Sequence, residues 1–157
     1  MSDVNAALRE WKRAGRLRYL GITHYTVASH AELAGVIRRE KPDFVQFNYS
    51  ASTTEAEKTL LPLCADLGVA TLINRAFDDG KLFDRLRGRP LPPFAAEIGC
   101  RSWAQLLLKF VVSHPAVTCV IPATGKRRNL LDNLAGGRGP MPDEKQRRAI
   151  VAAVQEG

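Results

Sequence analysis

The chain has 157 residues, 45% hydrophobic and 25% charged, a make-up and length that suit a single globular domain over residues 1–157. Lys and Arg number 23 against 16 Asp and Glu, a net charge of +7, yet the cations are scattered from Arg9 to Arg18, Arg38 to Lys41 and Arg85 to Arg89 without interleaved aromatics, which argues against a nucleic-acid surface. No run approaches the ~20 apolar residues that span a bilayer, Met1 to Leu8 is not a signal peptide, and Cys64, Cys100 and Cys119 lack the spacing of a zinc or redox site, so a cytoplasmic protein with reduced core thiols is expected.

The first predicted element is a helix from Asp3 to Ala14, with Leu8 and Trp11 on one face and Gly15 as its stop. Arg18 to Thr23 is an apolar run of strand length. Ser29 with Glu32 forms a capping box for a helix carrying Leu33, Val36 and Ile37, which Lys41-Pro42 ends. A second strand comes at Asp43 to Asn48. Thr54 with Glu57 caps the next helix, whose apolar face is Leu60, Leu61, Cys64 and Leu67 and whose stop is Gly68; Pro62 must kink it or confine its regular part to one side. Val69 to Asn74 is the third strand, and a long connection from Phe77 to Arg101 comes next. Ser102 with Gln105 opens the strongest helix, carrying Trp103, Leu106, Leu107, Phe110 and Val111. Val117 to Pro122 is the fourth strand. A helix from about Lys126 to Ala135 and a last one from near Asp143, with Ile150, Val151 and Val154 inward, complete the chain.

Strands that are near-continuous apolar runs and alternate with helices predict an α/β fold with a parallel sheet. The Gly-x-Gly-x-x-Gly turn of a dinucleotide fold is missing after the first strand, which favours part of a barrel over a doubly wound sheet. Every strand then ends in polar residues: Thr23-His24, Gln46 with Asn48, Asn74-Arg75, and Thr124-Gly125-Lys126. Parallel strands of a barrel gather such ends at one rim, where sites form. The bland alternative is that Thr and Asn merely satisfy turn backbone. Lys126, Arg127 and Arg128 enter a helix whose first amides lack partners, an arrangement that binds phosphate or else only solvates a helix cap. His30 and His114 read as surface or helix-end residues, Asp78-Asp79 as turn chemistry, and no Ser or Cys has the setting of a nucleophile.

Gly15-Arg-Leu-Arg-Tyr-Leu-Gly-Ile-Thr-His24 resembles the fifth-strand motif of aldo/keto reductases, commonly Gly-Lys-Ile-Arg-x-Ile-Gly-Val-Ser-Asn. Asp43 to Tyr49 is similar to the sixth strand, Glu57 to Gly68 with its Leu-Pro-Leu-Cys to the helix after it, and Val117 to Asn133 to the eighth strand and the segment after it. The resemblance implies the second half of a (β/α)₈ TIM barrel: four parallel strands alternating with helices, plus a C-terminal helix. It further implies a nicotinamide cofactor, NADP with NAD as the alternative, and a small aldehyde or ketone as substrate once the other barrel half completes the site. Thr23, His24 and Gln46 take the places that hold the nicotinamide carboxamide. Asn74 stands where many members place a Tyr against the ring, and Arg75, Ala76 and Phe77 line the pyrophosphate side. Thr124, Lys126, Asn129, Asp132 and Asn133 match the segment for the adenosine 2′-phosphate and adenine, although Ala123 and Asn129 replace its usual Lys and Arg. The family's Asp, Tyr, Lys and His tetrad lies on the first four strands, so no catalytic residue is assigned. The competing expectation is a non-catalytic nucleotide-binding module. Half a barrel also leaves sheet edges open, which predicts self-association.

Overall fold

The computed structural model describes residues 2–156, with side chains from Val4 onward. In chain order its main elements are α1 (Ser2–Arg13), β1 (Gly21–Thr23), α2 (His30–Glu40), β2 (Phe44–Asn48), α3 (Leu60–Leu67), β3 (Ala70–Asn74), α4 (Lys81–Arg85), α5 (Trp103–Val112), β4 (Cys119–Val120), α6 (Arg127–Ala135) and α7 (Glu144–Gln155). The sheet runs β1-β2-β3-β4, every pair parallel, so consecutive strands are neighbours joined by helical crossovers. Half of a (β/α)₈ barrel with a C-terminal helix is the result, as expected.

Strand alternation divides the sheet into two unlike faces. Val45, Phe47, Thr71 and Ile73 are buried, and the helices lay Ile37, Leu61, Cys64, Leu107 and Phe110 into the same core. Each such Leu, Ile or Phe contributes roughly 1.5–3 kcal/mol by leaving water. The other face carries Phe44, Gln46 and Leu72, which are only half-buried, and Cys119, which pairs beside Leu72 and is exposed, followed by Ile121. Cys119 is therefore not the core thiol that the apolar run suggests. Cys64 is, and burial pushes its thiol up to about 11.

Local chemistry explains where elements begin and end. Pro62 sits in the first turn of α3, where an amide has no intrahelical partner, and the regular helix lies on its C-terminal side. Gly68 closes that helix at φ +66°, a left-handed conformation suited to glycine. Ser102 caps α5 by accepting from the Gln105 amide, as expected. Ser29 and Thr54 make no such cap. The segment from Phe77 to Arg101 is not one loop, because it holds α4 and short 3₁₀ turns.

Strands β1 and β4 are shorter than their apolar runs. The approach to β4 is stitched to β3 by side chains instead: Thr71 Oγ1 donates to the Ala116 carbonyl at 2.7 Å and accepts from the Thr118 amide at 2.9 Å, while Thr118 Oγ1 accepts from the Thr71 amide at 2.9 Å. A buried threonine thus replaces two rungs of the ladder. Helix α7 is locked by Arg147, which donates to the Phe110 carbonyl (2.5 Å), Ser113 Oγ (2.6 Å), the Tyr49 hydroxyl (2.7 Å) and Glu57 (2.8 Å). No helix among the described residues is long and apolar enough to cross a membrane.

Candidate functional site

Parallel register brings the strand tips to one rim: Thr23 lies beside Gln46, Asn48 beside Asn74, and Ile73 beside Val120, just ahead of the Pro122 to Lys126 turn. The rim holds two clefts. One, of about 210 Å³, is lined by Tyr25, Asn48, Ser50, Thr53, Arg75 and Asp78. The other, of about 360 Å³, has Phe77, Phe83 and Trp103 as aromatic walls and Thr124, Asn129, Asp132 and Asn133 as polar ones. Arg75 and Phe77 belong to different clefts, and buried Ala76 lies between them in the chain. Thr23 and Gln46 line a shallower hollow with Leu72 on the open face of the sheet. Lys126 lines neither rim cleft and is exposed at the start of α6.

The turn after β3 is conformationally costly. Arg75, Asp78 and Asp79 have φ of 55°, 48° and 55°, the left-handed region that residues with a Cβ rarely adopt. Such strain concentrates where a backbone is held for function. Arg75 is fixed by an ion pair to Asp79 at 3.1 Å, and its guanidinium lies 4.5 Å from the Tyr25 ring centroid. Asp78-Asp79 is turn chemistry, as expected.

His24 is held within its own loop. Nδ1 accepts from the Tyr25 amide at 2.9 Å, which places the ring proton on Nε2, 3.0 Å from Ser29 Oγ. The imidazole therefore donates to the serine and does not take its proton, so this pair is no nucleophile and base. Both nitrogens are engaged, and gripping a carboxamide would require His24 to exchange the Ser29 bond. Ser29 is recruited here, which is why it leaves α2 uncapped. His30 is not a surface residue either: it is buried, with Nε2 3.0 Å from Asn48 Oδ1.

Asn74 is the most informative polar group at the rim. Its Nδ2 donates to the His24 carbonyl at 3.1 Å, and its buried Oδ1 has no partner among the described residues. A buried acceptor without a donor costs about 1–3 kcal/mol. A ligand N–H, such as a carboxamide's, has the chemistry to satisfy it, although Asn74 lines neither rim cleft and its oxygen is closed to solvent. At the other end Thr124 Oγ1 accepts from the Lys126 amide at 3.2 Å, and Lys126, Arg127 and Arg128 stand exposed at the start of α6, whose first amides have no intrahelical partner. That end fits a phosphate. Asp132 is already engaged, accepting from Ser102 Oγ (2.7 Å) and Gln105 Nε2 (2.5 Å), so it anchors α6 to α5. Asn129 and Asn133 line the aromatic cleft beside it.

Sequence reasoning missed Tyr25 and Phe83. Tyr25 follows the polar tip of β1 directly, whereas nothing local marks Phe83, which meets Phe77 at 4.8 Å only because α4 turns back on the loop. A larger cavity, about 750 Å³, lies elsewhere, at the amino ends of β1 and β2.

Comparison with known proteins agrees with this geometry. The sequence profile described as "Aldo/keto reductase family" matches residues 1–155. No curated protein matches the chain. Among solved structures, the holo form of aldo-keto reductase AKR11C1 from Bacillus halodurans superposes with a TM-score of 0.74 at 19% identity, covering 97% of this chain and 55% of its own. An aldo/keto reductase from Klebsiella pneumoniae in complex with NADP and acetate gives 0.72 at 20% identity, covering 92% and 51%. The thermostable aldo-keto reductase Tm1743, bound to the inhibitor epalrestat, gives 0.69 at 20% identity, covering 94% and 53%. The chain thus spans about half the length of these structures. On the profile match, with the same four-stranded parallel sheet beneath it, the chain belongs to the aldo/keto reductase family.

Proposed function

We propose that this chain is the cofactor-binding half of an NAD(P)H-dependent reductase of aldehydes or ketones, and that it does not catalyse by itself. The observation that carries this reading is the rim, where an unsatisfied acceptor, Asn74 Oδ1, stands in the same row of strand tips as the cationic start of α6. A nicotinamide carboxamide suits the first and a phosphate the second. Phe77, Phe83 and Trp103 suit an adenine between them. The Klebsiella pneumoniae relative holds NADP, and Lys126 to Arg128 supply charge for a third phosphate, so NADP is preferred over NAD here. The cofactor when bound supplies hydride; the residues of this chain bind and orient it.

Carbonyl reduction also needs a proton donor at the reacting oxygen. Tyr25 is the rim tyrosine, but its ring is engaged by His24 and Arg75, and its hydroxyl has no lysine or histidine bonded to it among the described residues. Tyr49 borders the smaller rim cleft but is itself buried, its hydroxyl donating to Glu57 and accepting from Arg147. The acid is therefore supplied by the barrel half that this chain does not contain.

Titrating the chain with NADPH and with NADP⁺, followed by tryptophan fluorescence in a Trp11→Phe background that leaves Trp103 as the reporter, and then assaying aldehyde reduction tests both parts. Saturable binding without turnover is expected. Failure to bind removes the cofactor reading, and turnover removes the need for a second half. A non-catalytic nucleotide-binding module would behave alike up to this point. Adding the first four strands of the barrel as a separate polypeptide divides the two, since only the reductase half then gains turnover.

A further inference from the structure

On the reading of the rim as a cofactor site, we infer that Arg89 is a positioning residue of the aromatic cleft: it ties the Trp103 wall to the last turn of α7, so that a nucleotide in the cleft and the docking of that turn stabilise each other.

The aromatic walls come from one arch of chain. Phe77 opens the arch after β3, Phe83 stands on α4 within it, and Trp103 follows it as the first residue of α5. Leu82 and Leu86 are buried and anchor the arch on the core. Phe83 and Arg85 lie two positions apart on α4, hence on nearly opposite faces of the helix. One face supplies a wall of the cleft, and from the other Arg85 donates to the Val154 carbonyl at 3.3 Å.

Arg89 makes a second and shorter tie, donating to the Ala153 carbonyl at 2.7 Å. Its own carbonyl accepts from Trp103 Nε1 at 3.0 Å. A single residue therefore grips the cleft wall with its backbone and α7 with its side chain. The indole has one polar hydrogen, so this bond uses all of its hydrogen-bonding capacity and fixes the orientation of the ring.

Both ties land at the end of α7 that is free to fray. Ala153 and Val154 belong to its last turn, whose carbonyls find no intrahelical donor, and a cation there also meets the negative pole of the helix. Val154 adds one apolar anchor. Arg147 secures the amino-terminal half of α7 and makes no bond to this turn. Helix ends open locally at a lower cost than global unfolding. Opening of the last turn releases the Arg89 side chain and with it the constraint on Trp103, and departure of Trp103 loosens the turn. Linkage makes the effect reciprocal, since whatever favours the closed cleft favours the docked turn by the same factor.

The probe is NADPH, titrated into the Trp11→Phe background in which Trp103 is the remaining tryptophan. Saturating NADPH should slow amide exchange at Val154, Gln155 and Glu156 by about fivefold, while the last turn of α1 stays unchanged. Arg89→Met keeps the carbonyl that holds Trp103 and removes only the tie to α7. Checked by circular dichroism to be folded, it should bind NADPH about fivefold more weakly and expose Trp103 to acrylamide quenching. Arg89→Lys, whose ammonium can still donate to the Ala153 carbonyl, should restore affinity and quenching to within about twofold. Equal affinity and equal quenching in Arg89→Met and its parent overturn the inference. So does unslowed exchange at Val154 to Glu156 in a parent that binds NADPH, a measurement that stands even where Arg89→Met does not fold. A parent that binds no NADPH overturns the cofactor reading, and this inference with it.

Discussion

The side chain of Asn74 reaches from the end of β3 to the carbonyl of His24 at the end of β1, a bond of 3.1 Å that crosses over β2. One amide thereby fixes the spacing of the β1 and β3 tips, and it leaves its own oxygen buried without a donor among the described residues. One residue thus has two roles, and one substitution reaches both.

Asn74→Leu removes the strand-tip bond and the orphaned acceptor together. Losing a net hydrogen bond costs about 1 kcal/mol, while losing the unsatisfied oxygen returns part of that, so urea denaturation should show a change of about 1 kcal/mol or less. NADPH affinity should fall by about tenfold, because the carboxamide loses its partner and the tips lose their spacing. A variant that binds NADPH as the parent does would remove Asn74 from the site.

Helix α7 depends on a network no local pattern announces. Arg147 is buried and joins Tyr49 and Glu57 across 98 and 90 residues of sequence, with its guanidinium 4.4 Å from the Phe110 ring centroid. The Tyr49 hydroxyl donates to Glu57, and burial followed by that bond pushes its ionisation well above the ordinary tyrosine range. Arg147→Met strips donors from Glu57 and from the Phe110 carbonyl. Glu57 is partly exposed and can be rehydrated, so the loss should be about 2–3 kcal/mol, below that of a fully buried pair. The midpoint of urea unfolding should drop with an unchanged slope. Arg147→Lys should not rescue it, since one ammonium cannot span the four acceptors that the guanidinium reaches. A midpoint within error of the parent would show the network to be incidental.

Legible in the sequence are the elements whose signal is local. Apolar runs mark all four strands, Ser102 with Gln105 marks α5, and polar tips mark the rim. Capping boxes mislead at Ser29 and Thr54 because the same side chains have tertiary alternatives: Ser29 goes to His24, and Glu57, three residues after Thr54, goes to Tyr49 and Arg147. Cys119 misleads for the opposite reason. An apolar run implies burial on both faces only if both faces are covered, and here one is not. Of the candidate site, the tips are legible and their states are not, since the engagement of His24 and Asp132 depends on partners that a spacing rule cannot see.

His114 links stability to pH. Burial, and secondly the charge of Arg147, lower its pKa below the ordinary 6.5, and its Nδ1 accepts from the Ala116 amide at 3.2 Å, a bond that only the unprotonated nitrogen makes. The ring also packs edge-on against Tyr49, at 6.0 Å between centroids. Below pH 6.5 the unfolded chain takes up the proton before the folded chain does, so stability rises with pH through this window and is lost as pH falls from 6.5 towards the native value. His114→Asn keeps a side-chain acceptor for the Ala116 amide and cannot take up that proton. Melting temperatures of the two proteins should therefore diverge less at pH 5 than at pH 7, because the parent alone loses this contribution on acidification. A constant difference between them across that range would mean that His114 does not titrate with folding.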